Sequence, residues 1–550
     1  MSNNSRNNFT KKIEKVCIVL ILILGLVAIG GTLYLNKDKI DEPSDKVIPS
    51  VDTSHELSEE LDIYPSNLLL LKKVPDITLT RENGEKVSLE DYSGKTLILT
   101  FWNSWCSDCQ EEFKYLNEFA KLIDTYQDVE FVLVNRLDGV KETKEQALSY
   151  LRDNGIQVET LFDEELKAYH ALGLKMIPTT LIIDGEGILR VIQPKVIQDT
   201  AQMKALIEYS LYGGSYATEH FITTKLSGKD SGIHVNYINH TGTSPIGYDV
   251  LSESQGLLLE YGIITNNQQL FDKSLSYIKE NMSAYPLVSW IKPDKKAGAG
   301  VNALLDDLRI YKSLVAANNL WGNYYNYLAT YGEDILRYNT KENQLVDFYD
   351  FKNKKKGERF TLCYGDFAAL EYLKATNEKF QLVYENTLHT VKNGYIGDNF
   401  PMYYSWYNYK KQSYEKVSLN MAEAMYTLYH LAQIGELKDE TIQWLKDRIK
   451  GNGIKAKYTV EGKVVEGFGY ESTAIYALVV LIADEIGDDK LKSDAVIKME
   501  KLRINMAGED LNGSFGYVDG SNISSFDQCM PLLAYGKIES SLKDKVNKGE

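Results

Sequence analysis

Two cysteines three residues apart, Cys106 and Cys109 in Phe101-Trp102-Asn103-Ser104-Trp105-Cys106-Ser107-Asp108-Cys109-Gln110, most directly specify chemistry in this chain. On a helix turn that spacing brings two sulfurs within reach of a disulfide. Thiol-disulfide exchange then needs two duties: Cys106, beside Trp105, attacks a partner disulfide as the thiolate, and Cys109 resolves the mixed disulfide. The elements that must position them lie on either side. Residues 96–102 are rich in β-branched and aromatic side chains and read as a buried strand, while residues 109–123 carry apolar residues at helical spacing. The pair therefore sits on a first helical turn, where free backbone N–H groups and the helix dipole stabilise a thiolate. Asp108 places a negative charge inside the motif, which disfavours the nearby thiolate and moves the pair toward the reducing side.

The whole chain sets limits on everything else. Its 550 residues exceed one ordinary core, so two or three domains are expected. With 61 basic and 77 acidic side chains the net charge is −16, which argues against a nucleic-acid partner. Five cysteines are too few for a disulfide scaffold, no Cys/His cluster has zinc-ligand spacing, and no cofactor is called for beyond a Cys106–Cys109 disulfide. Residues 16–35 are uncharged and mostly Leu, Ile and Val, preceded by Arg6, Lys11, Lys12 and Lys15 in segment 1–15. This predicts one transmembrane helix with the N-terminus in the cytoplasm and the rest outside, an uncleaved anchor because no small-x-small cleavage site follows. Residues 36–67, polar and interrupted by Pro43, Pro49 and Pro65, read as a tether.

Residues 68–213 alternate strand and helix patterns, an α/β domain with strands expected at 77–79, 96–102, 129–134 and 179–183. Val74-Pro75-Asp76-Ile77-Thr78-Leu79, Asn83-Gly84, Val87-Ser88-Leu89-Glu90-Asp91 and Gly94-Lys95, followed by the cysteine stretch, resemble the membrane-tethered, extracytoplasmic thioredoxin-like oxidoreductases of the TlpA and ResA type. Ala171-Leu172-Gly173 and Met176-Ile177-Pro178-Thr179-Thr180 resemble that family's cis-proline segment. The resemblance implies a cis Pro178 packed beside Cys106, a protein disulfide as client, and a membrane thiol carrier as reductant. Thr100 stands where thioredoxin itself has a buried acid. The resemblance offers Asp138 and Glu142 as proton acceptors for Cys109.

After Gly213-Gly214 the character changes. Over residues 218–550 helical segments rich in Tyr, Leu and Ala open near Ser252, Asn302, Gly365, Ser418, Glu471 and Ser524, each followed by a more polar second helix. Six such hairpins close into an all-α (α/α)6 toroid. Tyr248-Asp249-Val250-Leu251-Ser252-Glu253-Ser254-Gln255-Gly256 resembles the acid-bearing motif of glycoside hydrolase family 8, inverting enzymes acting on β-linked glycans. Asn302-Ala303-Leu304-Leu305-Asp306-Asp307 and Cys363-Tyr364-Gly365-Asp366 follow in that family's order. The resemblance implies Glu253 as general acid, Asp307 or Asp306 as the group holding the sugar, and Asp366 as the activator of water. Trp290, Trp321, Tyr364, Tyr403, Tyr404 and Trp406 are candidate platforms for sugar faces. Departures are Ser254 where a glycine is usual, and adjacent rather than alternating acids at Asp306 and Asp307. Cys363 and Cys529 read as buried small apolar residues.

Two function classes follow. One is a membrane-anchored, extracytoplasmic thiol-disulfide oxidoreductase carrying a glycan-handling toroid. The other is a polysaccharide hydrolase with an auxiliary redoxin domain, or a catalytically silent glycan-binding toroid.

Overall fold

The computed structural model describes residues 72–548 except 195, 238–244, 285, 505–509 and 518. The expected membrane-spanning run 16–35 and tether 36–67 lie outside the described residues. Among the described residues no helix is long and apolar enough to cross a membrane.

The first domain is built on a seven-stranded sheet: β1 (Thr78–Thr80), β2 (Lys86–Ser88), β3 (Thr96–Trp102), β4 (Val129–Leu137), β5 (Glu159–Glu164), β6 (Thr179–Ile183) and β7 (Leu189–Gln193), in the order β2-β1-β5-β4-β3-β6-β7. Central β3 runs parallel to β4 and antiparallel to β6. Every residue of β3 is buried, and the alternation of side chains decides which core each joins. Ile98 and Trp102 pack with Phe119, Leu133, Met203 and Ile207 on one face; Leu97, Leu99 and Phe101 pack with Val132, Leu161 and Leu181 on the other. The helical run after the cysteines divides into α1 (Ser107–Glu112) and α2 (Leu116–Ile123). Then come α3 (Lys144–Asp153), α4 (Lys167–Ala171) and α5 (Thr200–Phe221). Gly213 and Gly214 lie inside α5, so the architecture changes within one continuous helix rather than at a linker.

The helical half consists of α6 (Ser252–Ile264), α7 (Gln268–Asn281), α8 (Leu304–Trp321), α9 (Tyr325–Asn339), α10 (Phe367–Lys374), α11 (Lys379–Asn393), α12 (Met421–Gln433), α13 (Asp439–Lys450), α14 (Thr473–Glu485), α15 (Asp489–Glu500) and α16 (Ser525–Lys548). Among the described residues α6, α8, α10, α12, α14 and α16 touch their neighbours in sequence, and α16 returns to α6, closing a ring. The intervening helices lie outside it, and α5 supplies the outer partner of α16. The inner helices are apolar nearly all round: Thr473 to Ala483 of α14 are buried without interruption.

The joint between the halves is tightly packed. Tyr209 of α5 meets Tyr535 of α16 edge to face, and a side chain at Gly214 would run into the Tyr535 ring at 2.5 Å. Ser215 Oγ donates to Glu539, while past the end of α5 the Tyr237 N–H donates to the Ile523 carbonyl, just before α16 begins. α5 and α16 therefore run in opposite directions. Buried Arg503 closes the joint with bonds to Glu500, Thr218 Oγ1 and the carbonyls of Gly214 and Gly513.

Candidate functional sites

Cys106 caps the N-terminus of α1, and the Cys109 N–H donates to its Sγ at 3.2 Å. The same sulfur lies 3.6 Å from the carbonyl of Ile177, whose bond to Pro178 is cis. Cys106 is 7% exposed, with Trp105 beside it at 47%. The Cys109 thiol first, and the N–H groups of Cys109 and Asp108, lower the Cys106 pKa to about 7 against the opposing effect of burial. The negative charge expected to matter at Asp108 does oppose the thiolate, but it is a smaller influence than that residue's own N–H. Burial, reinforced by Cys106, holds the Cys109 thiol far above its ordinary range. The two sulfurs are thus differentiated as attacking and resolving thiols require.

Neither acid read from the sequence as proton acceptor is open to Cys109. Glu142 is buried and accepts from Ser104 N–H, Ser104 Oγ and Asn135 Nδ2; Asp138 caps the N–H groups of Val140, Lys141 and Glu142. The acid on the face of α1 that carries Cys109 is Glu112, three residues on and fully buried. One carboxyl oxygen accepts the Ile197 N–H at 2.8 Å, and the other has no partner. Burial raises its pKa to about 7, with Ile197 opposing. The signal for it was in the sequence: Glu112 interrupts the otherwise apolar stripe Cys109, Phe113, Leu116, Phe119 and Ile123. To take the Cys109 proton Glu112 must be ionised, so the resolving step should quicken as pH rises through 7. Glu112→Gln is expected to slow it about 10²-fold and abolish that rise, read by stopped-flow reduction of a mixed disulfide across pH 5 to 9.

In the toroid the acids read from the sequence separate into different roles. Glu253, in the first turn of α6, is partly exposed and carries a pKa raised to about 7, by burial and then by the Asp306 charge. Asp306 lies beside it on α8, one oxygen bound to Arg309 Nη1 at 2.9 Å and the other to Ser252 Oγ. Asp307 points away: fully buried, it accepts from Val288 N–H, Asn302 Nδ2 and Tyr331 Oη. Adjacent helical residues diverge by roughly 100°, so only one of the pair can face the mouth. Asp366 caps α10 at Ala369 N–H and is paired with Lys312 at 2.8 Å, which also binds Glu260. Burial opposes the charge, but Lys312, with His430 and the Ala369 N–H, holds its pKa well below the ordinary range, and the carboxylate is 1% exposed, so it offers no face to a water above a sugar. Lys312→Met is expected to cost about 3–5 kcal/mol by leaving Glu260 and Asp366 without their shared cation, measured by chemical denaturation.

One acid was not singled out from the sequence. Glu423, in the first turn of α12, is partly exposed with a pKa raised to about 7, by burial first, while Arg359 and Lys457 pull it down. Among the described residues no hydrogen bond or ion pair engages the side-chain carboxyl of Glu253 or of Glu423. α6 and α12 are three positions apart in a ring of six, so the two carboxyls stand on opposite sides of one mouth. Trp290 lines it through its carbonyl, which accepts Ser252 N–H; Trp406 lies under Arg359 at 4.5 Å; Tyr364 precedes α10 and is partly exposed. Trp321 is elsewhere, at the far end of α8, packed on Phe271 and Tyr324. Tyr403 is buried against Tyr395, and Tyr404 stacks on Tyr414. Cys363 and Cys529 are buried free thiols.

Residues 70–192 match the AhpC/TSA family. Over 171 residues the chain is 31% identical to the thiol-disulfide oxidoreductase ResA of Bacillus subtilis, a match covering 30% of this chain and 77% of ResA. The redoxin half belongs to the ResA-type thiol-disulfide oxidoreductases. Fused to this ResA-type half is a glycosidase-like domain. A solved α-amylase from Clostridium perfringens is 31% identical to the chain, with a TM-score of 0.55, covering 59% of this chain and 97% of the amylase. A further relative, "Putative lipoprotein YdaJ" of Bacillus subtilis, is 28% identical over 298 residues, 52% of this chain and 79% of YdaJ.

Proposed function

We propose that the chain carries two activities: thiol-disulfide exchange at Cys106 and Cys109, and inverting hydrolysis of a glucan in the mouth of the toroid. The first rests on the Cys106 sulfur, held on a helix N-terminus and beside the Ile177 carbonyl with its pKa lowered to about 7. Its client is a protein disulfide and its reductant a membrane thiol carrier, with residues 16–35 as the anchor. The second rests on Glu253 and Glu423, two unpartnered carboxyls on opposite inner helices. Inversion needs one protonated carboxyl at the leaving oxygen and an ionised one across the ring, roughly 6.5–9.5 Å apart with a water between. Burial raises both to about 7, and the charges beside them support different roles. The strongest charge acting on Glu253 is the anion Asp306, which favours its proton; the strongest acting on Glu423 is the cation Arg359, which favours its loss. Glu253 is the acid, and Glu423 takes the role first read for Asp366.

Likeness to an α-amylase makes an α-linked glucan the first substrate to test, and a β-linked one, as read from the sequence, the second. The full chain is incubated with maltooligosaccharides or mixed-linkage β-glucan, and the first-formed anomer is followed by NMR. Inverted product from either assigns the linkage. No turnover of either leaves a binding toroid.

A further inference from the structure

Asp306 was read from the sequence as a group that holds the sugar. Its surroundings give it a different task. One carboxyl oxygen is engaged by the Arg309 guanidinium and the other by Ser252 Oγ, which fixes the orientation of the group; burial raises its pKa, and Arg309 and Ser252 oppose that by favouring the anion. Ser252 is the residue before Glu253. Arg309 itself is fully buried; it bonds Tyr426 Oη at 3.1 Å and crosses α6 at Gly256, where a Cβ would meet the Arg309 chain at 3.0 Å. The turn of α6 that carries Glu253 is thus gripped from both ends by one Ser252–Asp306–Arg309 clamp.

Resting on the reading of Glu253 as the acid, we propose that Asp306 is a positioning residue: clamped by Arg309 and Ser252, it fixes the first turn of α6 and sets a carboxylate beside the Glu253 carboxyl. The groups facing Glu253 are Asp306 and Arg309 of α8, Glu423 and Tyr426 of α12, and Asp527 and Cys529 of α16. Among these, Asp306 is the largest charged influence and raises its pKa, Arg309 lowers it, and Asp527 and Glu423 raise it by less. Asp527 accepts from Ser472 Oγ and Ala474 N–H at the start of α14 and from Ser524 Oγ at the start of its own helix.

The test is Asp306→Asn, which keeps the shape and removes the charge. A general acid must hold its proton, so activity falls as pH rises through its pKa. Loss of the neighbouring anion is expected to move that basic limb of kcat/KM down by on the order of one pH unit, with KM changed less than about threefold. A limb that stays in place while KM rises tenfold or more would overturn the proposal and return Asp306 to sugar binding. A second measurement needs no turnover. The infrared carboxyl titration of Glu253 in the full chain, isolated as the difference from Glu253→Gln, is expected near about 7, and lower when Asp306→Asn is the background. The same midpoint with and without the Asp306 charge overturns the proposal. Absence of hydrolysis alongside a midpoint that falls in Asp306→Asn removes the glycosidase reading and leaves the role of Asp306 standing.

Discussion

Cys106→Ser is expected to reduce the rate of insulin or glutathione-disulfide reduction on the order of 10³-fold or more, the scale seen when a nucleophile is removed, and to leave glucan turnover at the wild-type rate. The hydroxyl keeps the helix-capping geometry of the thiol but cannot ionise near neutral pH, so position survives and nucleophilicity does not. In the wild type the rate should rise with pH through about 7 as the Cys106 thiolate forms, and level off above it. Cys109→Ser should behave differently. Attack still occurs, but the mixed disulfide between Cys106 and the client accumulates because nothing resolves it, and intact mass spectrometry would show the adduct. An unaltered reduction rate in Cys106→Ser would remove the redox assignment altogether.

The second large effect is in the toroid. Glu253→Gln and Glu423→Gln are each expected to lower kcat for glucan hydrolysis about 10²- to 10⁴-fold, the range for loss of a general acid or base, with insulin reduction unaffected. They should differ in what remains. With Glu253 replaced, the basic limb of the pH profile disappears, and a substrate whose leaving group needs no proton, such as an activated aryl glycoside, recovers much of the loss. With Glu423 replaced, the acidic limb disappears and the activated substrate recovers little, because the water is still not activated. Asp366→Asn serves as the contrast: tied to Lys312, it should act mainly on folding stability. A larger loss of kcat in Asp366→Asn than in Glu423→Gln would restore the first assignment of the base.

Local patterns carried the architecture a long way. The fully buried run of β3 followed by an apolar helical stripe placed Cys106 on a helix start, and the helix openings read at Ser252, Glu471 and Ser524 lie within two residues of α6, α14 and α16. What a sequence states poorly is direction within a turn. It puts Asp306 and Asp307 together at one helix start, but which one faces the mouth is decided by Tyr331, Asn302 and Val288, from elements far along the chain. Asp366 looked free because Lys312, its partner, lies 54 residues earlier. Glu423 looked like an ordinary acid in a first helical turn, where the dipole welcomes one, and only the closing of the ring sets it opposite Glu253. Glu112 was the legible omission, since a carboxylate in an apolar stripe calls for an explanation from the sequence alone.

The helix that passes from one half into the other has a consequence for traffic. α5 is about 33 Å long at the usual rise per residue, and it leaves the ring at the end away from the inner-helix starts. The ResA-type half is therefore mounted behind the toroid, and the mouth with Glu253 and Glu423 opens away from it. On the proposed reading, a glucan at the mouth and a protein disulfide at Cys106 would be handled on the two separate halves that this helix joins.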